Sequence, residues 1–288
     1  ATSEEAGKFA SIVEMVTEDG GSFEEGVQIA VQAVLVSPSF LFRVETDSTP
    51  DDPMAERAVT DYELASRLSY FLWSTMPDGE LLDLAAKGEL RQPQVLDRQV
   101  TRMLADQRSQ ELVDNFAEQW LNLRMLDEVS PDPAIFPDFD DELRESMKRE
   151  SLLLFETVMR DNRSILDFLD ADFSYVDARL AKHYGIELPR NSGRADGFYK
   201  VALNPQQRAG VLTHASILTL TSNPDRTSPV KRGKWIMENI LGKEPPSPPP
   251  GVPELEETAK AAPNLSMRQQ LERHRADPGC AVCHTTMD

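Results

Sequence analysis

The sequence predicts a mostly α protein built from several multi-helix, bundle-like domains, and three observations lead there. Apolar residues recur at three- and four-residue intervals in segment after segment. Capping boxes stand immediately ahead of several of those segments. Strand-like alternation is scarce, and no internal repeat at a fixed period accompanies the helical pattern.

Taken in order, Ser22 and Glu25 form a capping box ahead of Val27, Ala30, Val31, Val34 and Leu35 at helical spacing, and Ser37-Pro38 breaks that helix. Thr60 and Glu63 form a second box, with Val59 and Leu64 placed as its hydrophobic staple. Leu64, Leu68, Phe71 and Leu72 make the buried stripe, and Pro77-Asp78-Gly79 is the turn that follows. Further helices are predicted over Leu96–Leu104, Leu112–Leu123, Leu143–Met159 and Tyr175–Tyr184, the last with Gly185 as C-cap. A shorter one covers Arg208–Leu218, and another covers Val230–Leu241 and closes at Gly242. The final helix begins near Ser266, with Gln269 as its box partner, and carries Leu271 and His274 toward Cys280. Trp73, Trp120 and Trp235 sit on apolar helical faces and read as core.

Two changes of composition mark boundaries. Asp47–Asp52 is a loop that separates an N-terminal helical piece from the main body. Pro245–Pro253 is expected to be extended polyproline II, a semi-rigid linker running toward the cysteines, because consecutive prolines fix φ and remove donors.

The 288 residues suffice for two or three modest cores. No stretch approaches the roughly 18–20 apolar residues of a membrane helix, so no membrane-spanning segment is expected. A net charge of -19 repels phosphate backbones and anionic lipid, which argues against nucleic acid and membrane surfaces as partners. The sequence opens at Ala1 with no methionine and no signal peptide, so both ends read as cuts in a longer protein.

The chemistry concentrates near the C-terminus. Cys280 and Cys283 are the only cysteines, which excludes a disulfide framework, and with His284 they form Cys-x-x-Cys-His. Two thiols at that spacing can add to the vinyl groups of a haem, and the adjacent histidine then lies under the iron as proximal ligand. The competing metal is zinc, held by His274, Cys280, Cys283 and His284. A thioredoxin-like pair would need a βαβ setting that this helical sequence lacks. For the second iron ligand the sequence offers His274, His214 and Met287, the last only three residues past His284.

A second segment runs from Ser222 to Trp235 and gathers Arg226, Lys231, Arg232 and Lys234 in an otherwise acidic chain. Leading into a helix N-terminus, it could clamp haem propionates or another anion through Arg226, Lys231 and Arg232. The alternative is a capped, solvated loop. No Ser/His/Asp order, phosphate loop or His-Glu-x-x-His stands out.

Four stretches together resemble a known set of domains: Asp61 to Asp78, Asn115 to Leu121, Arg226 to Trp235 and His274 to His284. They are similar to the cytochrome c-associated domains of unknown function in large secreted planctomycete proteins. The resemblance implies a partial N-terminal helical domain over 1–46, a central helical domain over 56–186 and a haem-motif domain over 190–288. It also implies other domains in the same longer chain, and it carries a role for Cys280, Cys283 and His284 alone. The expectation is a periplasmic or otherwise extracytoplasmic protein with one haem c and an unidentified redox partner protein. Its role would be electron transfer or that of a redox subunit. A non-redox helical scaffold and a haem-dependent oxidoreductase are the competing classes.

Overall fold

The computed structural model describes residues 3–43, 45, 50–52, 54–190, 193–245 and 265–276. It is mostly helical, with 59% helix against 4% strand. The chain divides into two compact units, Ala1–Leu64 and Ala65–Asp288.

The first unit is a helical hairpin, α1 (Ser3–Glu18) and α2 (Phe23–Leu35), followed by the short α3 (Pro38–Leu41). The expected capping box opens α2: Ser22 Oγ accepts from Glu25 N at 3.2 Å, and Ser22 N donates to Glu25 Oε2 at 2.8 Å. Gly26 lets the two helices touch, since a Cβ there would lie 3.0 Å from Val13 Cα. Pro38 does not merely stop α2; it starts α3 at the first helical position, where its missing N–H costs nothing.

Thr60 and Glu63 form the second box, at 3.2 and 2.7 Å, ahead of α4 (Asp61–Trp73). Arg57 grips the same carboxylate through both terminal nitrogens and, with the Thr60 N–H, holds the Glu63 pKa down to about 2. The turn expected at Pro77-Asp78-Gly79 also starts a helix: Asp78 caps α5 (Gly79–Ala86) by accepting from Leu81 N. Next comes α6 (Pro93–Ala105). Trp73, 2% exposed, donates Nε1–H to Met103 O at its C-terminal end. Arg108 covers the indole face at 3.5 Å.

The spine of the second unit is α8 (Asp141–Arg160), eleven of whose 20 residues are buried. Leu143 and Met147 join Leu126, Val176, Leu180, Ala181, Val201 and Ala215 in one core cluster. Between α6 and α8 the predicted Leu112–Leu123 helix breaks into a π-helical stretch (Leu112–Ala117), one α turn, α7 (Glu118–Trp120), and a 3-10 stretch (Leu123–Glu128). Asn122, at φ +58, ends the α geometry.

Two further expectations need correction. Tyr175 and Val176 are not helical but lie in a buried strand, β1 (Phe173–Val176), which follows the short α9 (Asp167–Asp170). β1 pairs antiparallel with β2 (Tyr199–Ala202), Phe173 opposite Ala202. Asp177 then caps α10 (Ala178–Tyr184), whose C-cap is Gly185 at φ +69. The Arg208–Leu218 helix is likewise split. Gly210 sits at φ +54, a 3-10 turn follows over Val211–Thr213, and α11 runs Ala215–Leu220. After α12 (Pro229–Trp235) the chain continues π-helically through Ile236–Ile240 and reaches Gly242 at φ +61. The last described element is the helix Met267–Arg275. Apart from Pro245, the expected Pro245–Pro253 linker lies outside the described residues, as do residues 47–49 of the expected loop.

Among the described residues no helix is long and apolar enough to cross a membrane.

Candidate functional site

Cys280, Cys283, His284 and Met287 lie outside the described residues. The element leading to them does not. Ser266 N donates to Gln269 Oε1 at 2.9 Å and Gln269 N donates to Ser266 Oγ at 3.4 Å, the expected cap. The helix it opens includes His274 and ends at Arg275, ahead of Cys280. This donor set fits a covalently held haem: two thiols at vinyl spacing, a neighbouring imidazole, and no other cysteine in the chain to compete. Among the described residues no three His, Cys, Asp or Glu side chains gather as a metal site.

His214 lies in a buried hydrogen-bond cluster. It caps α11, is 1% exposed, and its Nδ1 lies 2.9 Å from Ser151 Oγ, which lies 2.7 Å from Ser216 Oγ. Its Nε2 has no hydrogen-bond partner and lies 3.9 Å from Glu150 Oε1. An imidazole so enclosed offers no edge to a haem.

Glu150 is the centre of that cluster. Ser174 Oγ and Tyr184 Oη each donate to its carboxylate at 2.6 Å, and Tyr184 Oη accepts from Ala215 N at 2.7 Å. Arg208 lies 3.8 Å from the Tyr184 ring. Burial pushes the Glu150 pKa up to about 7 against the lowering effect of its two hydroxyl donors. Burial, aided by Arg208, pushes His214 down to about 3, and burial with the nearby Glu150 raises Tyr184. At neutral pH the cluster therefore holds a neutral imidazole and a carboxyl poised between its two states. It joins α8, β1 and α10 to α11, and every member but Tyr184 and Arg208 is fully buried. Nothing in the motif reading points to Glu150. Its one sequence signal is a charged residue within the apolar face of the Leu143–Met159 helix.

His183, next to Tyr184, is exposed along one edge while its ring is partly covered by neighbouring residues. It lines a cavity of about 350 Å³ with Ile135, Phe136, Phe139, Met147 and Leu218. Burial and Arg208 lower its pKa while Asp138 raises it. A lone histidine in the last turn of a helix carries no motif, so the sequence reading passes over it.

The three cations at the second candidate site do share one turn. Asn223 N donates to Arg226 O at 2.8 Å, and Ser228 caps α12. Lys231 Nζ donates to Ser222 O at 3.3 Å, Arg232 to the Thr221 and Thr227 hydroxyls at 3.4 and 3.3 Å, and Arg226 pairs with Asp225 at 3.0 Å. Burial lowers the Arg232 pKa. Each of these cations thus has a polar partner close by in the chain. Trp120 also departs from the core expectation. It is half-buried at the edge of an apolar cleft and donates Nε1–H to Asn239 O at 2.6 Å.

Fold and motif together define a mostly helical, multidomain protein with a cysteine–histidine motif in its last segment. Three models match consecutive stretches of it, each described as a protein of unknown function: DUF1595 over residues 1–45, DUF1592 over 59–186 and DUF1588 over 208–288. These three are known together as the planctomycete-type cytochrome c-associated domain set, and this chain is similar to all three. No curated protein and no solved structure matches the chain.

Proposed function

We propose that the chain is an extracytoplasmic c-type haem-binding protein that serves electron transfer or acts as a redox subunit of an oxidation. One observation carries the reading: the only two cysteines of 288 residues stand in Cys-x-x-Cys-His inside a domain of the cytochrome c-associated set. Cys280 and Cys283 would hold a haem by thioether bonds, and His284 would be an iron ligand. Bound there, haem c supplies one-electron chemistry. The capped helix Met267–Arg275 precedes the motif in the sequence. For a second iron ligand His274, Met287 and His214 are the candidates, and the enclosure of His214 argues against the last. Since haem c is attached outside the cytoplasm, the compartment follows from the cofactor.

The reading is tested by intact mass and metal content after periplasmic expression with the haem c maturation machinery. The chain is expected to be heavier by one haem per molecule and free of zinc. Unmodified mass with one equivalent of zinc would replace the haem reading by a four-ligand structural site at His274, Cys280, Cys283 and His284.

A further inference from the structure

The cavity of about 350 Å³ beside His183 draws on none of the residues of the haem motif, and what it binds does not depend on the haem reading. Its volume falls within the roughly 300–1,000 Å³ of small-molecule sites, which occur preferentially where domains meet. Phe136, Phe139 and His183 come from the DUF1592 stretch, Leu218 and Asn223 from the DUF1588 stretch. One wall is the loop before α8, and local bonds shape it. Asp132 O accepts from Ile135 N and Phe136 N at 3.0 and 2.8 Å, and Phe139 N donates to Phe136 O at 3.1 Å. Asp132 N donates to Pro224 O at 2.8 Å and so ties this loop to the DUF1588 stretch. Phe139 packs against the core cluster, while Ile135 and Phe136, 51% and 44% exposed, form an apolar rim.

Four polar side chains stand among these apolar walls with bonding capacity unused. The Asp138 carboxylate accepts no hydrogen bond and forms no ion pair among the described residues. Only its backbone O is engaged, by Arg179 Nη2 at 3.2 Å. The Asn223 carboxamide and the His183 ring likewise make no hydrogen bond among the described residues. Thr219 Oγ1 has only the Met147 sulfur, at 3.8 Å, a weak acceptor. A carboxylate can only accept, and a carboxamide oxygen, a hydroxyl and a neutral imidazole accept as well. The His183 ring is neutral at pH 7, since burial and Arg208 lower its pKa against the opposing pull of Asp138.

Charge selects the occupant. Among the described residues Asp138 is the one formal charge lining the cavity. The cations nearby are committed elsewhere: Arg144 to Asp141 and Val129 O, Arg179 to Asp140, Arg208 to Thr213 O and Lys231 to Ser222 O. Lys182 lines an adjoining pocket of about 140 Å³, not this one. An unpaired anion among acceptors, in a chain of net -19, favours a cationic head over an anionic one. The walls, Phe136 and Phe139 among them, favour an apolar or aromatic body.

We propose that this cavity binds an amphipathic organic amine, its ammonium group at Asp138 and its apolar body against Phe136, Phe139 and Leu218. Tryptamine is the probe, with tryptophol and indole-3-acetate as neutral and anionic counterparts of the same body. Calorimetric titration of the full chain at pH 7.5 is expected to rank tryptamine first, about tenfold or more tighter than indole-3-acetate. Asp138→Asn changes an exposed side chain without partners, so the melting temperature is expected to stay unchanged. The same variant is expected to cut tryptamine affinity about tenfold and to leave tryptophol affinity as it was. Equal affinity for the three compounds, or tryptamine binding that ignores Asp138→Asn, overturns the amine assignment. Tightest binding of indole-3-acetate overturns it too, in favour of an anion at Lys182. Absence of heat from all three at millimolar concentration, confirmed by equilibrium dialysis, overturns the site itself.

Discussion

Gly210→Ala is expected to destabilise the second unit by roughly 3 kcal/mol or more. Gly210 combines φ +54 with ψ -172, a region open essentially to glycine. A Cβ there would come within 2.4 Å of Leu169 C, 2.5 Å of Leu169 O and 2.6 Å of Phe168 O. All three are backbone atoms, so no side-chain rotation relieves the clash. Gly210 N also donates to Ala171 O at 3.1 Å, which fixes the start of the DUF1588 stretch against the end of α9. Alanine must therefore either break that bond or displace Phe168 and Leu169, two walls of the apolar cleft beside Trp120. Urea unfolding measures the loss, and a change below about 1 kcal/mol would show that α9 yields freely.

Glu150→Gln is expected to change how stability depends on pH, by roughly 3 kcal/mol between pH 4.5 and 7. The fold raises the Glu150 pKa from 4.5 to about 7, so folded protein binds more protons than unfolded protein across that interval. Its contribution is complete below pH 4.5 and is lost as pH rises through about 7. His214 acts in the opposite sense. Lowered from 6.5 to about 3, it contributes fully above pH 6.5 and its contribution is lost as pH falls through about 3. Between 4.5 and 6.5 the two slopes oppose each other. Below 4.5 the imidazole sets the acid limb, and just above 6.5 the carboxyl sets the alkaline one. Glutamine still accepts from Ser174 and Tyr184 but does not titrate, so only the carboxyl contribution disappears. Chemical denaturation of both chains at pH 4.5, 6 and 7.5 checks this, the native chain losing stability relative to the variant as pH rises. Parallel curves would place the Glu150 titration outside the folding equilibrium.

The parts of the fold legible in the sequence are those set by local chemistry. Ser22 with Glu25, Thr60 with Glu63 and Ser266 with Gln269 bond as their spacing requires, because a cap is decided within one turn of chain. Gly185 likewise closes its helix at positive φ. What misleads is tertiary. Phe173-Ser174-Tyr175-Val176 is short enough to merge with the helix behind it, and pairing with Tyr199–Ala202, far along the chain, makes it a strand. The π-helical turns at Leu112–Ala117 and Ile236–Ile240 keep helical periodicity in the sequence while changing which side chains face the cleft. Trp120 reads as core for that reason, and its indole N–H instead finds Asn239 O across a sequence gap of 119 residues.

The candidate site divides the same way. Cys-x-x-Cys-His is visible because thioether attachment and iron ligation need residues adjacent in sequence. The Glu150, Tyr184 and His214 cluster draws on α8, α10 and the turn before α11, with no spacing rule to announce it. His214 is singled out by residue type alone, and its setting turns out to be a buried hydrogen-bond network.

The central claim is covalent haem at Cys280 and Cys283, and the pyridine haemochrome spectrum of the denatured chain tests it most directly. After expression in a periplasm with haem c maturation machinery, the native chain is expected to show the α-band of a thioether-linked haem. The Cys280→Ser, Cys283→Ser chain is expected to lose it. A colourless native chain, or a haem band that persists in the double variant, would contradict the account.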